Sequence, residues 1–185
     1  KRGMGALEYA PALRQAHSSH SKLELESLIS MAQQVLDQRA GLSSSLQHKG
    51  NDDLAAILQV GTSAGGARAK ALVAINTTRT EIRSGQVDAP EGFEHYLLKF
   101  DGVVEQGNNR ETFGDPQGFG RMEYAYYLMA KAAGIRMAHC ELLADGERAH
   151  FLTQRFDRIG NHKVHYQSLC AMDHADFKKP GHYSY

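Results

Sequence analysis

The sequence predicts an α+β fold organised around an antiparallel sheet, and three observations carry that prediction. Short strand-like runs follow one another with only turn residues between them, which brings consecutive strands together antiparallel. A helical repeat begins at Phe119, and two further strand-like runs joined by a tight turn come after it. Another helical repeat precedes all of these, so the order is a helical prelude, a sheet, a helix and more sheet.

Residues 1–20 hold Gly3, Gly5 and Pro11 around a short apolar patch at Leu7 and Tyr9, which fits the tail of a preceding β unit. Ser21 with Glu24 three positions on forms a capping box. Leu25, Leu28, Ile29, Ala32, Val35 and Leu36 then recur at helical spacing until Gly41. Residues 43–53 are polar and read as a loop, and Leu54, Ile57 and Leu58 predict a short helix running into Gly61. Residues 71–75 and 80–83, separated by Asn76-Thr77-Thr78, read as a hairpin, and Tyr96-Leu97-Leu98-Lys99-Phe100 as the next strand. Residues 101–118 are rich in glycine and asparagine and are expected to form a long exposed loop. The helix from Phe119 runs through an apolar stripe of Met122, Tyr126, Met129 and Ala133 to Gly134, a residue suited to the position just past a helix end. Strands near 138–143 and 149–156 are joined by an expected Asp145-Gly146 turn.

With 185 residues, 42% of them hydrophobic and 23% charged, the chain can bury a core of ordinary size and reads as one globular unit. Lys+Arg and Asp+Glu balance at 21 each, so no global field argues for nucleic acid or an anionic membrane. No apolar run approaches the roughly 20 residues a spanning helix needs. The start, Lys1-Arg2-Gly3-Met4, lacks the apolar core of a signal peptide, so no membrane and a cytoplasmic location are expected. Cys140 and Cys170 lie in apolar surroundings without metal spacing and are expected to be buried free thiols. His162, His165, His174 and His182 lack the cysteines or orienting carboxylate of a metal site, and none is expected. A first residue other than methionine, and an ending at Tyr183-Ser184-Tyr185 that closes no element, suggest a piece of a longer protein.

Chemistry concentrates in one succession. The segment Gly61-Thr62-Ser63-Ala64-Gly65-Gly66-Ala67-Arg68-Ala69-Lys70 precedes a strand, and its small residues let backbone N–H groups approach a phosphate closely. It has neither Walker A nor Rossmann glycine spacing. A strand carrying Lys99 between Leu98 and Phe100 follows, then a helix carrying Glu123. The amino-terminal lobe of a protein kinase uses this order to hold ATP, the lysine neutralising phosphate charge and a helix glutamate positioning the lysine. Gln154-Arg155-Phe156-Asp157-Arg158 then ends a strand where a kinase places the hinge between its lobes. The same three charged residues could instead form a solvated ion-pair cluster. The fold expected on this basis is a kinase-like N-lobe, a fragment of a two-lobed kinase, with a linker over residues 1–20 and the N-lobe with its hinge over 21–185.

The loop at 62–70, the strand Tyr96-Leu97-Leu98-Lys99-Phe100, the helix segment Met122-Glu123-Tyr124-Ala125-Tyr126 and the motif Arg155-Phe156-Asp157-Arg158 together resemble the HipA family of bacterial serine/threonine kinases. Gly3-Met4-Gly5-Ala6-Leu7-Glu8-Tyr9 resembles the linker from that family's small N-terminal β subdomain. The loop departs from the family pattern at Gly65-Gly66 and Ala69, where relatives often carry Ser-Gly and Pro.

The resemblance implies that Gly65, Gly66, Ala67, Arg68, Ala69 and Lys70 wrap the ATP phosphates and that Lys99 contacts them. It implies that Gln154, Arg155 and Phe156 line the adenine pocket, with Glu123 and Asp157 in support, and that Ser63 is an autophosphorylation site whose modification ejects the loop. The catalytic aspartates and the Mg²⁺ ligands are expected beyond Tyr185, because Asp157, Asp173 and Asp176 stand in no catalytic-loop context. The implied whole is a toxin kinase, paired with a HipB-like helix-turn-helix antitoxin that supplies most of the DNA contact. Its implied substrate is a protein such as an aminoacyl-tRNA synthetase. A catalytically dead docking module and a small-molecule phosphotransferase are the other readings the residues leave open.

Overall fold

The computed structural model describes residues 5–7, 70–106, 110–113 and 116–176. The expected helices over 21–41 and 54–61 lie outside them. A five-stranded sheet is built from β1 (Lys70–Asn76), β2 (Ile82–Ser84), β3 (Phe93–Lys99), β6 (Cys140–Asp145) and β7 (Arg148–Gln154), in the order β2-β1-β3-β7-β6. Every neighbouring pair is antiparallel, as the short connections predict. The structure is thus α+β, with one main antiparallel sheet.

The three inner strands, β1, β3 and β7, hold the core. Ala71, Leu72, Val73, Ala74 and Ile75 of β1 are all buried, so this strand is covered on both faces, as an unbroken apolar run requires. Tyr96 and Leu98 of β3 and Leu152 of β7 complete it. The Asn76-Thr77-Thr78 turn forms as expected and is organised by Asn76, whose Oδ1 accepts from the backbone N–H groups of Thr80 and Glu81 at 2.9 Å each. That local bonding holds residues 80 and 81 out of the ladder, so β2 starts at Ile82.

The segment after β3 is not the long exposed loop its composition suggests. It carries a second hairpin, β4 (Val103–Gln106) paired with β5 (Arg110–Phe113), and Asp101 at its entry is fully buried. Gly102, at φ 83°, turns the chain out of β3 into β4. The strands mix Val103, Val104 and Phe113 with polar residues and leave no alternating apolar signature.

The helix α1 (Phe119–Ala132) follows and ends as predicted. Gly134 takes φ 78°, its N–H donates to Lys131 O, and Ile135 N–H donates to Ala130 O, the paired bonds of a Schellman closure. Its orientation, however, is opposite to the one its apolar stripe implies. Met122, Tyr126 and Met129 are 52%, 64% and 64% exposed, while Gly120 and Tyr127 face the sheet. The cause is Gly120: a Cβ there would lie 1.8 Å from the carbonyl oxygen of Ala149. The helix backbone rests directly on β7 through this residue, an approach any side chain would block.

A buried polar network fixes the start of α1. Asp101 Oδ1 accepts from Phe119 N–H at 3.0 Å, and Asp101 N–H donates to His150 Nδ1 at 2.9 Å. His150, on β7, is itself fully buried with Asp145 Oδ2 3.4 Å from its Nε2. The β6–β7 turn lies one residue later than predicted: Asp145 remains in the ladder opposite Arg148, and Gly146 opens the turn with φ 56°. Beyond β7 come two elements without a sequence expectation. They are a two-residue hairpin, β8 (Arg158–Ile159) with β9 (His162–Lys163), and a single helical turn, α2 (Leu169–Met172), whose Ser168 Oγ accepts from Ala171 N–H. Cys140 is a buried free thiol and Cys170 a half-buried one.

Gly120→Ala is expected to destabilise the fold by about 3 kcal/mol or more, since the clash is with backbone that cannot move aside; urea denaturation measures it. A pH prediction follows from two histidines. Burial pushes His150 below its ordinary value against the pull of Asp145 and Asp101, and burial, with Arg158 and Arg155 nearby, does the same to His95. A lowered folded value means that the unfolded chain takes up protons first, so their contribution is complete above pH of about 6.5 and is lost as pH falls below it. The urea midpoint should drop between pH 7.5 and 5.5, and His95→Gln/His150→Gln should flatten that slope.

Candidate functional site

Antiparallel register brings the predicted cationic residues to one end of the sheet. Lys99, the last residue of β3, lies opposite Lys70, the first residue of β1, and opposite Phe151 of β7 on its other side. Like charges directly across a ladder repel, so this end of the sheet favours an acidic neighbour. Part of that need is met by Glu123 of α1, whose Oε2 accepts a hydrogen bond from Lys99 Nζ. Both side chains are partly shielded, and the ammonium also lies 5.6 Å from the centroid of the Phe151 ring. Lys99 is therefore held by a helix carboxylate and does not snorkel to solvent.

The platform under this pair is apolar. Tyr127, Cys140 and Phe151 pack together with Tyr124 at their edge. Burial is the main influence on the Cys140 thiol and pushes it up, against a hydrogen bond with Thr153 and the nearby Lys99 charge.

Three residues along the same ladder, Gln154 lies opposite Tyr96, which places it about 10 Å from the Lys99 position at a rise of ~3.4 Å per residue. The N–H of Gln154 donates to His139 O and that of Arg155 to His95 O, at 2.8 and 2.9 Å. These two donors are directed into the fold. Phe156 is 69% exposed and meets Tyr166 edge to face, ring centroids 5.0 Å apart.

The charged residues of the motif form a buried cluster, not a solvated one. Asp157 accepts from Arg155 through both oxygens, Nε to Oδ1 at 2.8 Å and Nη2 to Oδ2 at 2.6 Å, and from Arg158 Nη1 at 2.9 Å. Burial raises the Asp157 carboxyl, but the Arg155 hydrogen bond and the two guanidinium charges outweigh it and hold the group below the usual carboxylate range. Arg158 Nη2 also donates to the carbonyl of Gly5 at 3.3 Å, which ties the segment at 5–7 to the end of the sheet. A neighbouring clamp fixes the β8–β9 turn: Asn161 exchanges two hydrogen bonds with the Ala89 backbone and approaches His95 Nε2 at 3.2 Å.

Of the predicted site residues, the structure joins Lys99 to Glu123, places Lys70 across from Lys99, and joins Arg155 to Asp157. Ser63, Gly65, Gly66, Ala67, Arg68 and Ala69 lie outside the described residues. Sequence reasoning missed Asp101, His150 and Asn161. Asp101 follows Lys99 by two positions and could have been noticed as an acid after an apolar strand, but the partners of His150 and Asn161 are set by tertiary contacts alone. Among the described residues no group of three His, Cys, Asp or Glu side chains gathers around a metal position, and no helix is long and apolar enough to cross a membrane.

The family model described as HipA-like C-terminal domain matches residues 62–185, 124 of the 185 residues. The chain belongs to this family. The match begins at Thr62, inside the glycine-rich segment, and covers every strand and helix described above. Searches of curated proteins and of solved structures found no match. In this HipA-like domain the segment Arg155-Phe156-Asp157-Arg158 is a buried ion-paired knot.

Asp157→Ala leaves two buried guanidinium groups facing each other and should cost about 3–5 kcal/mol. Urea titration reads the loss, and a near-neutral result would contradict the buried cluster.

Proposed function

We propose that residues 62–185 form the nucleotide-binding part of a HipA-like serine/threonine kinase, arranged as a kinase N-lobe. The observation that carries this reading is the ion pair of Lys99 on β3 with Glu123 on α1. Protein kinases position their phosphate-binding lysine with a helix glutamate in this way. The cation pair at Lys70 and Lys99 fits a polyanionic ligand, and the glycine-rich segment enters β1 at that same end of the sheet. Lys99 would hold the ATP phosphates together with Gly65, Gly66, Ala67, Arg68, Ala69 and Lys70. Gln154, Arg155 and Phe156 would line the base, through groups other than the Gln154 and Arg155 N–H donors. Bound ATP with Mg²⁺ would supply the phosphoryl group; Asp157, Asp173 and Asp176 stand in no catalytic-loop context.

Ser63 is the proposed autophosphorylation site. A phosphoserine beside Gly65 and Gly66 would repel ATP phosphates and draw the loop elsewhere. The family membership supports a toxin kinase in the cytoplasm that phosphorylates a protein, such as an aminoacyl-tRNA synthetase, and that meets DNA through a helix-turn-helix antitoxin.

In the intact protein with ATP and Mg²⁺, phosphate should appear on Ser63 by mass spectrometry and disappear with Lys99→Ala. Loss of a charged phosphate contact of about 1.5–3 kcal/mol should also weaken ATP binding by roughly 10- to 150-fold. ATP binding that is indifferent to Lys99→Ala would sink the nucleotide reading and leave a protein-docking module.

A further inference from the structure

We infer that Asp101 is a positioning residue: with His150, it sets the separation of Lys99 and Glu123. Three observations converge on it. Asp101 is a fully buried acid, a costly placement, and its carboxylate is bonded through Oδ1 alone, Oδ2 having no hydrogen-bond partner among the described residues. Its Oδ1 accepts from Phe119 N–H, the first donor of α1, at 3.0 Å. The N-cap of the helix is Gly118, which makes no side-chain cap hydrogen bond, and its first turn has no acidic residue. The cap therefore comes from the segment just after β3, and the carboxylate meets the positive end of the helix.

The same residue is pinned from behind. Its N–H donates to His150 Nδ1 at 2.9 Å, and Phe100, one residue back, meets the His150 ring edge to face with centroids 5.5 Å apart. An accepting Nδ1 puts the proton on Nε2, which faces Asp145 Oδ2. His150 sits on β7, the strand on which Gly120 also rests.

Asp101 is thus the apex of a triangle. One leg is the strand, two residues back to Lys99, about 7 Å. The other is the helix, four residues from Phe119 to Glu123, about 6 Å. The ion pair closes the open side, so a shift of the apex opens or closes it directly. This geometry stands without any ligand; its consequence for nucleotide rests on the function proposed above.

The test is the rate at which an amine-reactive acylating reagent modifies Lys99 in the intact protein without nucleotide, read by mass spectrometry. Asp101→Ala should raise that rate severalfold, to the level of Glu123→Gln. Asp101→Asn keeps an oxygen for Phe119 N–H and should stay near wild type. Ile75→Ala weakens the same sheet away from Lys99 and should also leave the rate unchanged. The inference is overturned if Asp101→Ala leaves Lys99 as protected as in wild type, or if Ile75→Ala exposes it equally. ATP titration separates the two readings. An accelerated Lys99 in Asp101→Ala, combined with ATP binding indifferent to Lys99→Ala, sustains the positioning role and removes the nucleotide function. Unchanged Lys99 reactivity with ATP binding that depends on Lys99 does the reverse.

Discussion

The contact on which the described fold depends is the one between Gly120 and the backbone of β7. A helix normally stands off a sheet by the depth of a side-chain layer, since side chains fill the space between them. At Gly120 that layer is missing, and α1 comes down until its backbone touches the Ala149 carbonyl. The descent has two consequences. Tyr127, two turns on, presses against Phe151 and Cys140, and Glu123, one turn on, comes within hydrogen-bonding reach of a lysine two strands from the sheet edge. A helix held off by an alanine would carry Glu123 outward with it. The close approach and the ion pair are one geometric fact.

Close approach alone would leave α1 free to slide along β7. The buried network at its start removes that freedom, because the Asp101 carboxylate fixes the first turn while His150 fixes Asp101 to β7. Burying an acid and an imidazole is costly; the bonds through Asp101 Oδ1, its N–H and His150 Nδ1 offset part of that where strand, helix and sheet meet, while Asp101 Oδ2 has no hydrogen-bond partner among the described residues. The second buried polar cluster has the same logic at the far end of β7. Asp157 gathers Arg155 and Arg158, and Arg158 in turn holds Gly5. Both ends of one strand are therefore locked by charged groups, with the apolar platform between them.

Sequence reading captured what depends on local chemistry. The hairpin at Asn76, the lysine strand, the closure of α1 at Gly134 and the succession from lysine to glutamate all follow from residue types at short range. The failures share a different cause. The stripe of Met122, Tyr126 and Met129 is more apolar than the face that is buried, and periodicity assigned the core to it; the deciding residue was a glycine, which contributes nothing to an apolar pattern. The β4–β5 hairpin lacks an alternating apolar pattern, and the glycines and asparagines around it predict a loop. For Arg155, Asp157 and Arg158 the sequence leaves a hinge and a solvated ion-pair cluster both open, since charge in sequence carries no mark of burial; the structure buries them together.

The exposed stripe and the buried glycine together set where Glu123 lies. The match over residues 62–185 fixes the ancestry of the domain, but ancestry does not show that a lysine and a glutamate meet. That follows from register: Lys99 opposite Phe151 on β7, and Gly120 seated on the same strand. If α1 were rotated to bury Met122 and Met129, Glu123, next to Met122, would leave the sheet and the lysine pair at 70 and 99 would lose a counterion. The stripe of Met122, Tyr126 and Met129 stays exposed because Gly120 and Tyr127 seat the opposite face of α1 on the sheet, and the ion pair follows from that packing.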